Sequence, residues 1–160
     1  MLIIPVADDE VLYRRVPRVE GLYIIQAGGI IKVSSAAFSD RSFRPSVNRA
    51  ELCHNDPGKA QRDPSDGVVS VVTADVRSID TVVRNDGKGN LIQTFGVDVE
   101  HVPIINHPEL PDNPAHAEIY LIPTSSNKAV FRRLCERLAQ LANGRPWEIE
   151  LQRGIKEHLF

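Results

Sequence analysis

One stretch of the chain has the residue spacing of a long helix, and this limits the fold more than any other feature. Between residues 126 and 143, apolar side chains recur every three or four positions, while charged side chains fall largely elsewhere. Ser125 or Ser126 can cap the start of this helix, and Gly144 followed by Pro146 ends it. Because such a helix needs an apolar surface to pack on, the rest of the chain must supply one.

Short strand patterns supply that surface, and most of them lie in the first two-thirds of the chain. Gly28-Gly29 predicts a hairpin turn, and the Asn, Asp and Gly residues of segment 85–90 predict another. The predicted strands cover residues 11–13, 21–25, 30–33, 68–72, 79–83, 91–99 and 116–122, with an edge strand at 147–151 and short helical turns around 46–54. We therefore predict an α+β fold in one domain, 1–160: an antiparallel-rich, partly split β-sheet of about six to eight strands and one long C-terminal amphipathic helix.

The overall charge of the chain argues against some classes of binding partner. The 160 residues include 19 Lys and Arg against 21 Asp and Glu, a formal net charge of -2. Such a chain lacks the global positive field of most proteins that bind nucleic acids, so nucleic-acid binding is possible only locally and is not favoured. No apolar run approaches the roughly 18 residues of a membrane helix, and the first residues lack a basic leader pattern. We expect a cytoplasmic protein without membrane contact.

The middle of the chain is acidic and rich in proline. Residues 89–127 contain five acidic side chains and no Lys or Arg. Prolines at 103, 108, 111 and 114 predict an irregular loop there. A loop of this length can serve as a lid, as the rim of a site or as a docking segment for a protein partner.

Metal binding and cysteine catalysis find little support. Cys53 and His54 are neighbours and would point to opposite faces of a strand, and no pair of ligands has the spacing of a common zinc motif. We expect no metal.

A histidine near arginines can act as the base of a metal-independent ribonuclease, with His54 or His116 as the candidates.

Another set of candidate site residues occurs along the chain in an order that resembles that of a known protein family. Arg14 and Arg15 end an early strand, and Ser34 and Ser35 follow the strand 30–33, with Phe38 soon after. Glu118 then lies in a late strand, directly after the proline-rich loop. This order resembles the mono-ADP-ribosyltransferase superfamily of the Arg–Ser–Glu type.

The resemblance implies NAD as a substrate and a role for each residue. Arg14 or Arg15 would hold the dinucleotide, Ser35 or Ser34 would be the strand-end serine, Phe38 would stack on the nicotinamide ring, and Glu118 would be the catalytic carboxylate. His116 stands where the family usually has Gln or Glu, which favours an acceptor other than arginine. The loop that contains Arg41 and Arg44 would border the phosphates or the acceptor. A toxin or defence effector of this class is the function that the resemblance implies.

Two alternatives belong to other classes. The domain can be a non-catalytic module that binds a nucleotide or a protein through the proline-rich loop and the segment 41–49. It can also be the ribonuclease described above, since its arginines suit a phosphate backbone.

Overall fold

The structure is a computed structural model that describes residues 3–152. This part of the chain forms nine β-strands, two α-helices and three short 3-10 helices. The strands are β1 (Val11–Val16), β2 (Tyr23–Ile25), β3 (Ile31–Val33), β4 (Ser46–Arg49), β5 (Gly67–Val72), β6 (Val83–Asn85), β7 (Leu91–Thr94), β8 (Gly96–His101) and β9 (His116–Ile122). The helices are α1 (Thr73–Arg77) and α2 (Lys128–Asn143), and the 3-10 helices are Ser35–Phe38, Ala50–Cys53 and Pro57–Ala60.

Five strands form one antiparallel sheet in the order β5-β1-β4-β9-β8. Two separate hairpins, β2 with β3 and β6 with β7, lie outside it. This arrangement, together with the long helix α2, confirms the predicted α+β class with antiparallel strands.

The sheet is split between two of its central strands. β1 pairs with β5 along its whole length, from Val11 to Val16. Its pairing with β4 is limited to Leu12 with Arg49 and Tyr13 with Asn48, although both strands continue. The sheet therefore has a gap beside the last residues of β1.

One face of the sheet and helix α2 enclose the main core. Alternate positions of β9, namely Ala117, Ile119 and Leu121, point into this core, as the sequence pattern predicts. The helix contributes Val130, Phe131, Leu134, Cys135, Leu138, Ala139 and Ala142. The other face carries a smaller apolar cluster around Tyr13 and Val68, and much of it remains polar.

Several predicted boundaries are corrected. Residues 46–49 form the strand β4, so the predicted helical turn is limited to the 3-10 helix Ala50–Cys53. The strand predicted at 79–83 lies at Val83–Asn85, because residues 73–77 are helical and the chain then turns into the hairpin. The predicted edge strand 147–151 makes one β-bridge, between Ile149 and Val68.

Helix α2 begins slightly later than predicted. Asn127 is its cap, and the side-chain oxygen of Asn127 accepts a hydrogen bond from the amide of Val130 at 3.0 Å. Ser125 lies before the cap, and its hydroxyl accepts a hydrogen bond from the backbone amide of Asn127. Gly144 follows the last residue of α2, as predicted.

A buried ion pair joins the N-terminal segment to the sheet. Arg49 of β4 donates from Nε and Nη2 to the two carboxylate oxygens of Glu10, both at 2.8 Å. The two side chains are 3% and 6% exposed. Burial raises the pKa of Glu10, but the hydrogen bonds from Arg49 and from the amide of Ala7 outweigh burial and hold the pKa below its ordinary value. The carboxylate is therefore ionised, and Arg49 has a full counter-charge.

Among residues 3–152, no helix is long and apolar enough to cross a membrane.

We predict that Glu10→Gln destabilises the fold strongly, because the substitution leaves the buried Arg49 guanidinium without a counter-charge. The expected loss in the free energy of unfolding is about 3–5 kcal/mol, measured by denaturant unfolding. The control is Asp8→Asn, which breaks the ion pair between Arg77 and the 74% exposed Asp8 and is expected to cost less than about 1 kcal/mol. Equal losses in the two variants would contradict this account.

Candidate functional site

A cavity of about 700 Å³ opens where β1 and β4 separate. We call it the strand-gap cavity. β1, β4 and β9 supply part of its wall, and the 3-10 helices Ser35–Phe38 and Pro57–Ala60, the residues directly after each of them and the proline-rich loop supply most of the rest. Its lining includes Arg14, Arg15, Ser46, Asn48 and His116 from the sheet; Ala37, Ser39 and Asp40 from the first of these 3-10 helices and the residues after it; Lys59 to Arg62 from the second and the residues after it; and Ile104 and Leu110 to Asn113 from the proline-rich loop.

Arg14 spans the gap in the sheet. Its guanidinium donates to three backbone carbonyls: Ala37 from Nε at 2.9 Å, Ser46 from Nη1 at 2.8 Å, and Ser39 from Nη2 at 3.2 Å. Each terminal nitrogen carries a second N–H, so the group can still donate into the cavity. The guanidinium carbon also lies 5.7 Å from the centroid of the Phe38 ring, which places the cation against the core.

The charge of Arg14 has no carboxylate in contact with it. Its hydrogen-bond partners are neutral carbonyl groups, and no ion pair engages it within residues 3–152. Burial lowers the pKa of Arg14, and the nearby carboxylate of Asp40 opposes that effect in part. Because arginine stays protonated in proteins, a half-buried cation faces the cavity and favours an anion there.

Basic side chains outnumber acidic ones in the lining of the cavity. The lining contains four basic residues (Arg14, Arg15, Lys59, Arg62) and two acidic residues (Asp40, Asp112). Nη1 of Arg15 lies 3.4 Å from Oδ2 of Asp66, which is long for a hydrogen bond between two charged groups. Within the described part of the chain, no ion pair engages Lys59 or Arg62, and both are exposed. The cavity is therefore electropositive in a chain whose formal net charge is negative.

The proline-rich loop forms one wall of the cavity. Asn113 donates from its side-chain amide to the side-chain oxygen of Asn48 at 2.7 Å, and a β-bridge between Asn113 and Ile104 closes the loop on itself. Leu110 and Pro111 add apolar surface beside these amides. The loop thus forms part of the rim, one of the roles predicted for it, whereas docking of a protein partner on residues 103–114 stays a prediction.

The structure brings together three of the residues predicted for the site. Arg14, Arg15 and His116 all line the strand-gap cavity, although they belong to β1 and β9, which are not adjacent in the sheet. β4 lies between them and carries Ser46, whose backbone carbonyl accepts from Arg14 and whose hydroxyl contacts His116. The alternative base, His54, is on the surface and lines neither this cavity nor the smaller one described next.

The predicted serines and the aromatic residue lie elsewhere. The hydroxyl of Ser34 donates to the carbonyl of Gly21, and Ser35 lines a smaller cavity of about 370 Å³ beside α2. Phe38 is 0% exposed and packs in the main core, so its ring is closed to a ligand and cannot be the predicted stacking platform. Cys135 also lines the smaller cavity, where burial raises the pKa of its thiol to about 12, and the thiol is therefore a poor nucleophile.

The predicted catalytic carboxylate is engaged outside the cavity. Glu118 accepts a hydrogen bond from Arg44 Nε at 2.7 Å and does not line the strand-gap cavity. Arg44 also pairs with Glu100, and its guanidinium carbon lies 4.8 Å from the centroid of the Tyr120 ring. Arg41, from the same segment, is exposed. In this structure the charges of Glu118 and Arg44 are therefore paired with each other, outside the strand-gap cavity.

Sequence reasoning missed several residues of the cavity. The prediction puts Ser46 and Asn48 in a helical turn, although Ser46, Val47 and Asn48 alternate polar and apolar residues directly after Pro45, which is a signal for the start of a strand. Lys59 belongs to the 3-10 helix Pro57–Ala60 and Arg62 to the loop after it. The position of this segment depends on the tertiary fold, and no local pattern marks either residue.

Comparison with protein-family models, curated proteins and solved structures finds no match for the chain. Within residues 3–152, no group of three or more His, Cys, Asp or Glu side chains is arranged to hold a metal ion.

We predict that Arg14→Lys destabilises the protein by about 2 kcal/mol, because an ammonium cannot reach the three carbonyls that the planar guanidinium bridges. The matched control is Arg15→Lys, which keeps a charge near Asp66 and is expected to change the free energy of unfolding by less than about 1 kcal/mol. Both values come from denaturant unfolding. If the two variants are equally stable, Arg14 does not hold the split strands together.

Proposed function

We propose that the strand-gap cavity binds a phosphorylated small molecule of nucleotide size. The observation that carries this proposal is the Arg14 guanidinium, a half-buried cation that contacts no carboxylate and faces a largely basic cavity. A half-buried charge that Asp40 offsets without contacting it is costly, and an anionic ligand would supply a direct partner.

Size and lining support a nucleotide rather than a bare ion. A volume of about 700 Å³ falls within the range of about 300–1,000 Å³ that is typical of small-molecule sites. The cationic groups lie beside apolar side chains of Leu22, Ile104 and Leu110, which suit a heterocyclic ring. The side-chain amides of Asn48 and Asn113 add hydrogen-bonding groups that can recognise a sugar or a base.

NAD belongs to this class of phosphorylated ligands. The proposal covers the binding of NAD and not the transfer of its ADP-ribose group. The transfer of ADP-ribose requires a carboxylate beside the ribose, and Glu118 is bonded to Arg44 outside the cavity. ADP-ribosyl transfer by Glu118 therefore stays a prediction of the sequence resemblance, and the geometry gives stronger support to nucleotide binding.

The test is calorimetric titration of the full chain with ADP, NAD and inorganic pyrophosphate. We expect ADP or NAD to bind, with an affinity that falls as salt concentration rises. Lys59→Glu and Arg62→Glu each reverse one exposed charge of the cavity and are expected to weaken binding by about fivefold to tenfold, ~1 kcal/mol.

The matched control for these variants is Arg132→Glu. Arg132 is also an exposed arginine, but it lines the smaller cavity. Its reversal changes the net charge of the protein as much as Arg62→Glu does and is expected to leave the affinity within about twofold of the unsubstituted chain. Equal weakening by all three variants would indicate a diffuse charge effect and contradict the proposed site.

A further inference from the structure

A serine and a histidine form a hydrogen-bonded pair on the wall of the strand-gap cavity. The hydroxyl oxygen of Ser46 and Nε2 of His116 are 3.1 Å apart. In the register of β4 and β9, Asn48 lies opposite His116 and Ser46 lies opposite Glu118, so the pair are diagonal neighbours on one face of the sheet. The sheet itself therefore positions both side chains.

The hydrogen bonds of the imidazole ring determine its tautomer. Nδ1 of His116 lies 2.7 Å from the backbone carbonyl oxygen of Val102. A carbonyl oxygen can only accept, so Nδ1 carries a proton and donates it, and in the neutral form of the ring Nε2 has a free lone pair. The Ser46 hydroxyl then donates to Nε2. A hydroxyl, a neutral imidazole that accepts its proton and a third group that orients the ring are the parts of an activated nucleophile.

Arg14 places positive charge on the backbone of Ser46. Its Nη1 donates to the backbone carbonyl of Ser46 at 2.8 Å, so the guanidinium lies next to the residue that carries the hydroxyl. Its remaining N–H groups can stabilise negative charge that develops on a phosphoryl group in the cavity. A fixed cation suits the anionic oxygens of a phosphate ester.

We propose that Ser46 is the nucleophile, and His116 the general base, of a phosphodiesterase site in this cavity. The proposal rests on the proposed binding of a phosphorylated ligand. A diester is the favoured substrate because it carries one negative charge, which repels an attacking hydroxyl less than the charge of a monoester does.

The reaction needs no co-reactant besides water. The Ser46 oxygen forms a bond to phosphorus while its proton passes to Nε2 of His116. The bond from phosphorus to the leaving alcohol breaks, and the alcohol oxygen keeps the electron pair and takes the proton from Nε2. Water then attacks phosphorus and gives a proton to Nε2, and the Ser46 oxygen leaves and takes that proton back. The products are an alcohol and a phosphomonoester, and the serine is regenerated.

The test uses two probes on the full chain. Diisopropyl fluorophosphate reacts with an activated serine by forming the oxygen–phosphorus bond and releasing fluoride, and peptide mass spectrometry then locates the label. Bis(4-nitrophenyl) phosphate reports turnover of a diester. We expect labelling at Ser46 together with turnover, loss of both in Ser46→Ala, and rates at least about 100-fold lower in His116→Asn.

The variants are chosen to keep the fold. His116→Asn retains an amide that can donate to the Val102 carbonyl, and Ser46→Ala removes one oxygen from the wall of a cavity. The control is Ser65→Ala, because the Ser65 hydroxyl donates to the carboxylate of Asp63 instead of an imidazole, and it is expected to leave both readouts unchanged.

The outcomes separate this proposal from nucleotide binding. If the unsubstituted chain binds ADP or NAD but shows neither label nor turnover, the nucleophile is refuted and the binding site stands. If label and turnover are present without nucleotide binding, the binding proposal fails instead. Diester cleavage that survives in Ser46→Ala but is lost in His116→Asn overturns the serine nucleophile and supports direct base catalysis by His116, as in the predicted ribonuclease.

Discussion

The structure depends on one guanidinium that holds a sheet together where its backbone pairing stops. β1 and β4 share only two pairs of residues, and beyond them the side chain of Arg14 links β1 to the carbonyls of Ser46, Ala37 and Ser39. An arginine side chain is long and planar enough to reach β4 through the Ser46 carbonyl and, at the same time, the 3-10 helix Ser35–Phe38 and the residue after it through the other two carbonyls. The same group closes the core on one side, against Phe38, and faces a cavity on the other.

The gap in the sheet explains why the polar groups of the site lie together. In a continuous sheet, Ser46 of β4 would bond directly to β1, and no space would remain between them. With the ladder interrupted, Ser46, His116 and Arg14 line one cavity. Arg49, which is fully buried, shows the contrast, because the carboxylate of Glu10 neutralises its charge and it lines neither the strand-gap cavity nor the smaller one. Arg14 contacts only neutral carbonyl groups, so its positive charge can still attract an anionic ligand.

Local patterns were sufficient to predict the fold class but only part of the site. The helix at 128–143, the turn at Gly28-Gly29 and the alternation of β9 are encoded by residue spacing and turn chemistry, and the structure confirms them. Arg14 and His116 were both found as candidates, but the resemblance grouped Arg14 with Ser35 and Glu118, and the structure pairs Glu118 with Arg44. Which carboxylate meets which arginine depends on the order of strands in the sheet, and no local pattern in a single sequence encodes that order.

A crystal structure of the protein with bound ADP tests the central claim most directly. The account predicts that a phosphate of ADP lies in the strand-gap cavity within hydrogen-bond distance of the Arg14 guanidinium, close to the hydroxyl of Ser46. A phosphate bound in the smaller cavity beside Ser35, or ADP bound with no contact to Arg14, would contradict it.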